Sequence, residues 1–193
     1  MLGKVLNHRY SPKIQLETER FSIATQLHLE LSMLETRMVD EAASSRDYLT
    51  LAAPLSLTLN AICQLCLIYS CLNPCGETDR NMSKETVEMQ AYAVDGLKAV
   101  TRCTSDLVDQ VHNATQSPQD LGRVSPIVMG AMYKAAANYA WMVRENGDEK
   151  SQIALDAIRH CLRKLGSRWR NAAEYLRILE AQEFTYAVGG AGS

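Results

Sequence analysis

The sequence predicts an all-α protein of about six helices, packed as an irregular helical bundle or stack. The strong helix formers Ala, Leu, Met, Glu and Arg dominate its interior. Only five prolines and ten glycines interrupt the 193 residues, and three of those glycines fall within the last five positions. No stretch alternates apolar and polar residues between turn signals, so no strand is predicted.

Composition and charge indicate one globular domain of ordinary type, expected over residues 19–186. The chain is 47% hydrophobic and 22% charged, and a chain of this length buries about 70% of its unfolded surface. The net charge of −2 lacks the basic excess typical of proteins that bind nucleic acid or anionic membranes. No secretion signal is recognised, so the six cysteines are expected to be reduced, in the cytoplasm or nucleus.

The N-terminal residues carry no helical pattern. Residues 1–18 mix glycine, asparagine, serine and proline with isolated apolar residues, which predicts an irregular N-terminal arm. From residue 19 onward, apolar residues recur at helical spacing and predict an amphipathic helix that fades near residues 43–45. Its stripe is Ile23, Leu27, Leu31, Leu34 and Met38.

The next segment, Leu49–Leu72, contains no charged residue. Twenty-four uncharged residues are long enough to cross a bilayer, so a membrane-associated protein that uses Leu49–Leu72 is one alternative. Pro54, Asn60 and Gln64 interrupt the apolar run, and the mean hydropathy of the chain is −0.17. These features favour a central core helix that is apolar on all sides because other helices surround it.

A turn and loop are predicted at residues 73–81, where Pro and Gly break the helix. Ser83 is a plausible cap for a helix that keeps its apolar rhythm to about Ala114. Gly96 in the middle counts against a straight helix. Residues 115–123 form the longest predicted linker of the interior.

The last third of the chain carries the clearest helix signals. Ser125 is a good N-cap, and Pro126 occupies the first helical position, where its missing N–H costs nothing. Gly147 is expected to close this helix and Asp148 to cap the next one, which ends at Gly166. Small residues in the first of these helices would let a neighbouring helix approach closely: Ala131, Ala135, Ala136, Ala137 and Ala140.

Ser167 is expected to cap the last helix. The apolar stripe of that helix is Trp169, Ala172, Ala173, Leu176 and Leu179. The glycine-rich tail at residues 187–193 has little to bury and is expected to be disordered.

The cysteine run Cys63-x2-Cys66-x4-Cys71-x3-Cys75 is the first candidate for a metal site. A structural zinc site needs four ligands that converge. On one apolar helix Cys63 and Cys66 share a face while Cys71 points elsewhere. We therefore expect core packing here and no metal ion.

No catalytic constellation is recognised. The histidines His8, His28, His112 and His160 are expected to lie apart, and no HExxH or paired-carboxylate spacing occurs. His160 and Cys161 are neighbours on a helix and point in different directions, so they should not form a thiol–imidazole pair. No nucleophile elbow, P-loop or dinucleotide-binding motif occurs either. We expect no enzymatic activity and no cofactor.

One basic cluster stands out, formed by Arg159, Arg163, Lys164, Arg168 and Arg170. Nucleic-acid binding needs a larger basic footprint and a recognisable reader. The spacing of the cluster fits the solvated side of two consecutive helices.

The aromatic residues of the last third suggest either core or pocket. They are Tyr133, Tyr139, Trp141, Trp169 and Tyr175. Aromatic residues at helical spacing are more often core, given the area that they bury. A hydrophobic pocket between helices, including an enzyme pocket near Trp141 and Trp169, stays open as an alternative.

A family resemblance rests on a degenerate motif of this last third. The motif residues are Ser125, Pro126, Val128, Tyr133, Ala135, Ala136, Arg168, Trp169, Ala172, Tyr175 and Leu176, followed by Ile178, Leu179 and Glu180. This pattern resembles the C-terminal part of the regulatory (middle homology) domain of fungal Zn2Cys6 zinc-cluster transcription factors. The resemblance is firmest over residues 125–186 and looser over about 46–115.

The resemblance implies regulation of transcription in a fungal nucleus, through effector response, autoinhibition or contacts with other proteins of the transcription machinery. The DNA-binding module of that family has six cysteines interleaved with basic residues, whereas Cys63–Cys75 contains no Lys or Arg. Neither zinc nor DNA contacts are therefore assigned to any position. The chain is expected to be a free-standing regulatory piece or to work with a missing DNA-binding part of a longer chain. A helical protein-interaction module unrelated to transcription is the other alternative.

Overall fold

The computed structural model describes residues 2–10, 17–45, 47–70 and 83–189. These residues form eight helices and no strand, which confirms the all-α prediction; six of the helices are long. The helices are α1 (Leu2–Tyr10), α2 (Glu17–Ser44), α3 (Tyr48–Ser70), α4 (Lys84–Ala114), α5 (Pro118–Leu121), α6 (Pro126–Asn146), α7 (Glu149–Gly166) and α8 (Arg170–Gly189).

The helices pack as two groups. The first consists of α2, α3 and α4, with α1 against α3, and the second consists of α6, α7 and α8. The groups meet where α6 contacts both α3 and α4, and where α7 contacts α4. One continuous cluster of buried apolar side chains runs through both groups.

Helix α3 is the centre of the first group, since it contacts α1, α2, α4 and α6. It is the only described helix that is long and apolar enough to cross a membrane, judged by length and composition alone. In this structure 56% of its qualifying apolar window is buried inside the protein. Packing against four neighbouring helices therefore accounts for its lack of charge.

The N-terminal arm is helical over Leu2–Tyr10, where an irregular segment was expected. Val5 is fully buried, and His8 hydrogen-bonds the hydroxyl of Tyr69 on α3. These tertiary contacts stabilise a helix that is too short to be stable alone. The residues of this segment by themselves therefore do not predict a helix. Residues 11–16 of the expected arm lie outside the described residues.

Two further boundaries differ from the prediction. The expected linker at residues 115–123 contains the short helix α5, in which Ser117 and Asp120 form a reciprocal capping box. Helix α8 continues to Gly189, so the first residues of the tail expected to be disordered are helical. Residues 190–193 lie outside the described part of the chain.

Most predicted caps are confirmed. Ser83, Ser125 and Asp148 each accept backbone N–H hydrogen bonds at the start of α4, α6 and α7. Gly147 ends α6 in the left-handed region with φ of 61°, a conformation that favours glycine.

The predicted cap at Ser167 is wrong. The Ser167 hydroxyl donates to the carbonyl of Lys164 at 2.8 Å and so belongs to the end of α7. The N–H groups of Arg168 and Trp169 also bond the carbonyl of Leu165. These bonds extend the last turn of α7, and α8 begins only at Arg170.

Gly96 lies within an uninterrupted α4 and marks a close approach of helices. A Cβ atom placed there would lie 2.8 Å from Sγ of Cys66 on α3 and 3.0 Å from Nε2 of His28 on α2. The glycine is therefore explained by contact with neighbouring helices.

We expect Gly96→Ala to lower the free energy of unfolding by about 1 kcal/mol, measured by urea denaturation. Overpacking of a core contact costs about 1–3 kcal/mol, which exceeds the gain of about 1 kcal/mol from replacing glycine in a helix. The matched control is Gly130→Ala, where the new Cβ stays 3.7 Å from the Tyr175 hydroxyl and stability should not fall. Adding Cys66→Ala to Gly96→Ala should recover stability, since it removes the nearer obstructing atom. Equal stability of the two alanine variants would contradict this explanation.

Candidate functional site

A groove runs between α6, α7 and α8, and we refer to it as the α6–α8 groove. Its volume is about 540 Å³, within the range of about 300–1,000 Å³ that is usual for small-molecule sites. Its lining residues are Ala137, Ala140, Trp141, Val143, Arg144, Gln152, Leu155, Arg159, Leu179 and Gln182.

The walls of the groove combine an aromatic face with cationic and amide groups. Trp141 is 43% exposed, while Leu155 and Leu179 are buried beneath the surface. Arg159 is held by an ion pair with Asp156 at 3.0 Å, and its side chain is only 16% exposed. An indole near guanidinium groups suits a flat ligand with an anionic group.

A second cavity of about 500 Å³ lies between α2, α3 and α4. Its polar groups include Glu35, Tyr48, Cys103 and Asp106. Burial, followed by the effect of Glu35, raises the pKa of Cys103 to about 12. Burial likewise raises the pKa of Tyr48 to about 12. Near neutral pH the Cys103 thiol therefore stays protonated and is a poor nucleophile.

A polar cluster joins α3, α4 and α6 inside the protein. Lys134 donates to the side-chain oxygen of Asn60, and Asn138 donates to the Thr101 hydroxyl at 3.2 Å. The adjoining cavity of about 10 Å³ has room for about one water molecule. Burial lowers the pKa of Lys134. The cluster satisfies half-buried polar groups and fixes the alignment of three helices.

The motif residues that carry the family resemblance are mostly packing residues. Tyr133 on α6 stacks on Tyr175 on α8, with ring centroids 4.9 Å apart and an interplanar angle of 17°. Trp169 donates from Nε1 to the carbonyl of Leu121 at 2.7 Å and thereby ties the start of α8 to α5. The apolar motif members Val128, Ala135, Ala136, Ala172 and Leu176 are buried.

The polar members of the motif lie at helix ends. Ser125 caps α6 and Pro126 follows it at the first helical position. Arg168 is exposed beside the turn that contains Gly122. The two tryptophans do not share a pocket, because Trp141 lines the α6–α8 groove whereas Trp169 packs against α5.

The described cysteines of the candidate zinc run are buried in the core. Cys63 and Cys66 are free thiols on α3, and burial raises the pKa of Cys66 to about 12. Cys71 and Cys75 lie outside the described residues. Within the described ranges no group of three His, Cys, Asp or Glu side chains is placed to hold a metal ion.

The expectation that no two histidines lie together was wrong. His112 on α4 and His160 on α7 have ring centroids 5.6 Å apart. Forty-eight residues separate them in the sequence, so only the packing of α4 against α7 brings them together. His160 is exposed and its neighbour Cys161 is buried, so the two side chains point in different directions, as expected.

The basic cluster is solvated at Arg163, Arg168 and Arg170, as predicted. Lys164 is half-buried, and the side chain of Arg159 is only 16% exposed at the α6–α8 groove. Helical spacing alone does not distinguish an arginine at the edge of a groove from one that faces water.

The described residues define an all-α protein with ligand-sized cavities between its helices. No family model, no curated protein and no solved structure matches the chain.

Proposed function

We propose that this chain is a helical regulatory domain similar to the middle homology region of fungal zinc-cluster transcription factors. In this proposal it acts in the nucleus through an effector or through protein contacts, with no DNA-binding or catalytic activity of its own. The supporting observation is that the residues carrying the resemblance form one packed unit. That unit joins α5, α6 and α8 through the Tyr133–Tyr175 stack and the Trp169–Leu121 hydrogen bond.

The α6–α8 groove is the proposed effector site. It is bordered by the same two helices that carry the motif, with Trp141 on α6 and Leu179 on α8. A ligand that contacts both helices shifts the protein toward the arrangement that it binds best. The partners of such a domain are other proteins of the transcription machinery, or a DNA-binding part of a longer chain.

A tethered reporter assay tests the proposal. The chain is fused between a heterologous DNA-binding domain and an activation domain in a fungal host, and reporter output is compared with that of the same fusion lacking the chain. We expect the chain to change reporter output severalfold, because a regulatory domain masks or recruits an activator. Trp141→Ala should alter this effect through the groove without unfolding the protein.

The matched control is Ile153→Ala on α7, since Ile153 is 64% exposed and does not line the groove. It should behave like the unmodified fusion. A folded fusion with no effect on the reporter would instead favour an interaction module unrelated to transcription. A sharp gel shift of a CGG-containing duplex by the chain alone would refute the absence of DNA-binding activity.

A further inference from the structure

The His112–His160 pair is a cluster that the proposed function does not use. The two rings come from different helices, α4 and α7, and their planes are inclined by 59°. His160 is exposed and His112 is half-buried, so the pair is open to solvent on one side.

The spacing of the rings fits two imidazoles on one metal ion. Zinc–nitrogen bonds measure about 2.0–2.1 Å, and an imidazole centre lies roughly 1.2 Å behind its nitrogen; at a tetrahedral angle, two ring centres are then about 5.2 Å apart. The observed separation of 5.6 Å differs from this value by an amount that small side-chain rotations cover.

The charges around the pair are of both signs, with Lys164 one turn after His160 and two arginines that are paired with carboxylates. Arg159 pairs with Asp156 at 3.0 Å, and Arg163 pairs with Glu180 at 3.6 Å. Asp109 lies one turn before His112 on α4, and Asp156 lies one turn before His160 on α7. Each histidine therefore has a carboxylate on the preceding turn of its own helix.

We propose that His112 and His160 chelate a divalent transition-metal ion of the zinc, nickel and copper class. Imidazole nitrogen suits these ions, whereas magnesium and calcium need sets of oxygen ligands. No third protein ligand is placed to complete the site within the described residues. The remaining coordination positions are open to water or to a ligand from another molecule, as in open zinc sites.

A metal ion at this position would link α4 of the first helix group to α7 of the second. It would stabilise the arrangement of the two groups because it binds only when both histidines are in place. This inference is independent of the proposed role in transcription.

Calorimetric titration of the reduced full chain with Cu²⁺, Ni²⁺, Zn²⁺ and Mg²⁺ tests the proposal. We expect one ion to bind per chain, with Cu²⁺ tightest and no binding of Mg²⁺. His112→Asn and His160→Asn should each weaken binding by at least about tenfold, because one remaining imidazole gives no chelate. The double variant should bind the ion only slightly more weakly than either single variant.

His28→Asn is the matched control, since His28 lies on α2 with its ring nitrogen against the Tyr92 hydroxyl at 2.8 Å. It should bind the metal ions as the unmodified chain does, with circular dichroism confirming that each variant is folded. Paramagnetic Ni²⁺ should broaden the NMR signals of the His112 and His160 rings before those of His8 and His28. Full-affinity binding retained in His112→Asn or His160→Asn, or equal broadening of all four rings, would overturn the proposal and point to cysteine or scattered surface binding.

Discussion

Trp169→Ala is expected to lower the free energy of unfolding by about 3–5 kcal/mol, the usual cost of truncating a packed aromatic side chain. The Trp169 ring packs against the core cluster, and its Nε1–H donates to the carbonyl of Leu121 at 2.7 Å. Its removal leaves both a cavity and an unpaired carbonyl group at the junction of α5 and α8. Guanidinium or urea unfolding followed by circular dichroism measures the change.

The second tryptophan provides the control. Trp141 is 43% exposed in the α6–α8 groove, so Trp141→Ala should cost less than about 1 kcal/mol. Trp169→Phe should fall between the two at about 1–3 kcal/mol, because it keeps an aromatic ring but loses the hydrogen-bond donor and part of the packed surface. Equal effects of the two alanine variants would show that Trp169 does not anchor α8.

Leu59→Asp is expected to unfold the protein or to cost at least about 3–5 kcal/mol, the penalty for an uncompensated buried charge. Leu59 is 1% exposed near the middle of α3, where α3 packs against its neighbouring helices. Such a loss is comparable to the whole stability of a marginal domain, which is about 5–15 kcal/mol. Thermal and denaturant unfolding measure it.

Leu57→Asp is the matched variant, two residues earlier on the same helix. Leu57 is 40% exposed, so an aspartate there should change stability by about 0.5 kcal/mol or less. In a helix that spans a bilayer, by contrast, an aspartate near the centre costs about 2.5–3.5 kcal/mol. Similar damage from both substitutions, together with protein that sediments with lipid in the absence of detergent, would contradict a core position for α3.

Local chemistry explains why the helix ends were predictable. Ser83, Ser125 and Asp148 bond N–H groups no more than three residues away, and Gly147 supplies a left-handed φ at one position. Such interactions depend on neighbouring residues, which the sequence shows directly. The prediction at Ser167 failed because a residue of good capping type was present, whereas the N–H groups of Arg168 and Trp169 bond back to Leu165 at the end of α7.

The N-terminal helix was missed because distant residues stabilise it. Helix α1 depends on burial of Val5 and on the bond between His8 and Tyr69, sixty-one residues away. The close contact made at Gly96 was likewise not predicted. Its role is visible only when Cys66 of α3 and His28 of α2 are seen beside it.

The candidate sites likewise combine features that the sequence predicts with features that depend on helix packing. The aromatic and basic residues of the last third were identified in advance, but their separate roles were not. Trp141 and Arg159 line a groove, while Trp169 ties α8 to α5. The His112–His160 pair had no signal at all, because contact between side chains of α4 and α7 depends on how these helices pack.

The sequence by itself determined the all-α class, the starts of the long helices α4, α6 and α7, and the uncharged character of α3. These properties follow from helix propensity, capping and apolar spacing, which act over a few residues. The tertiary structure alone decided which faces meet, and therefore where the grooves and the histidine pair lie. Side chains far apart in the chain come together only through the packing of whole helices, which local sequence patterns do not specify.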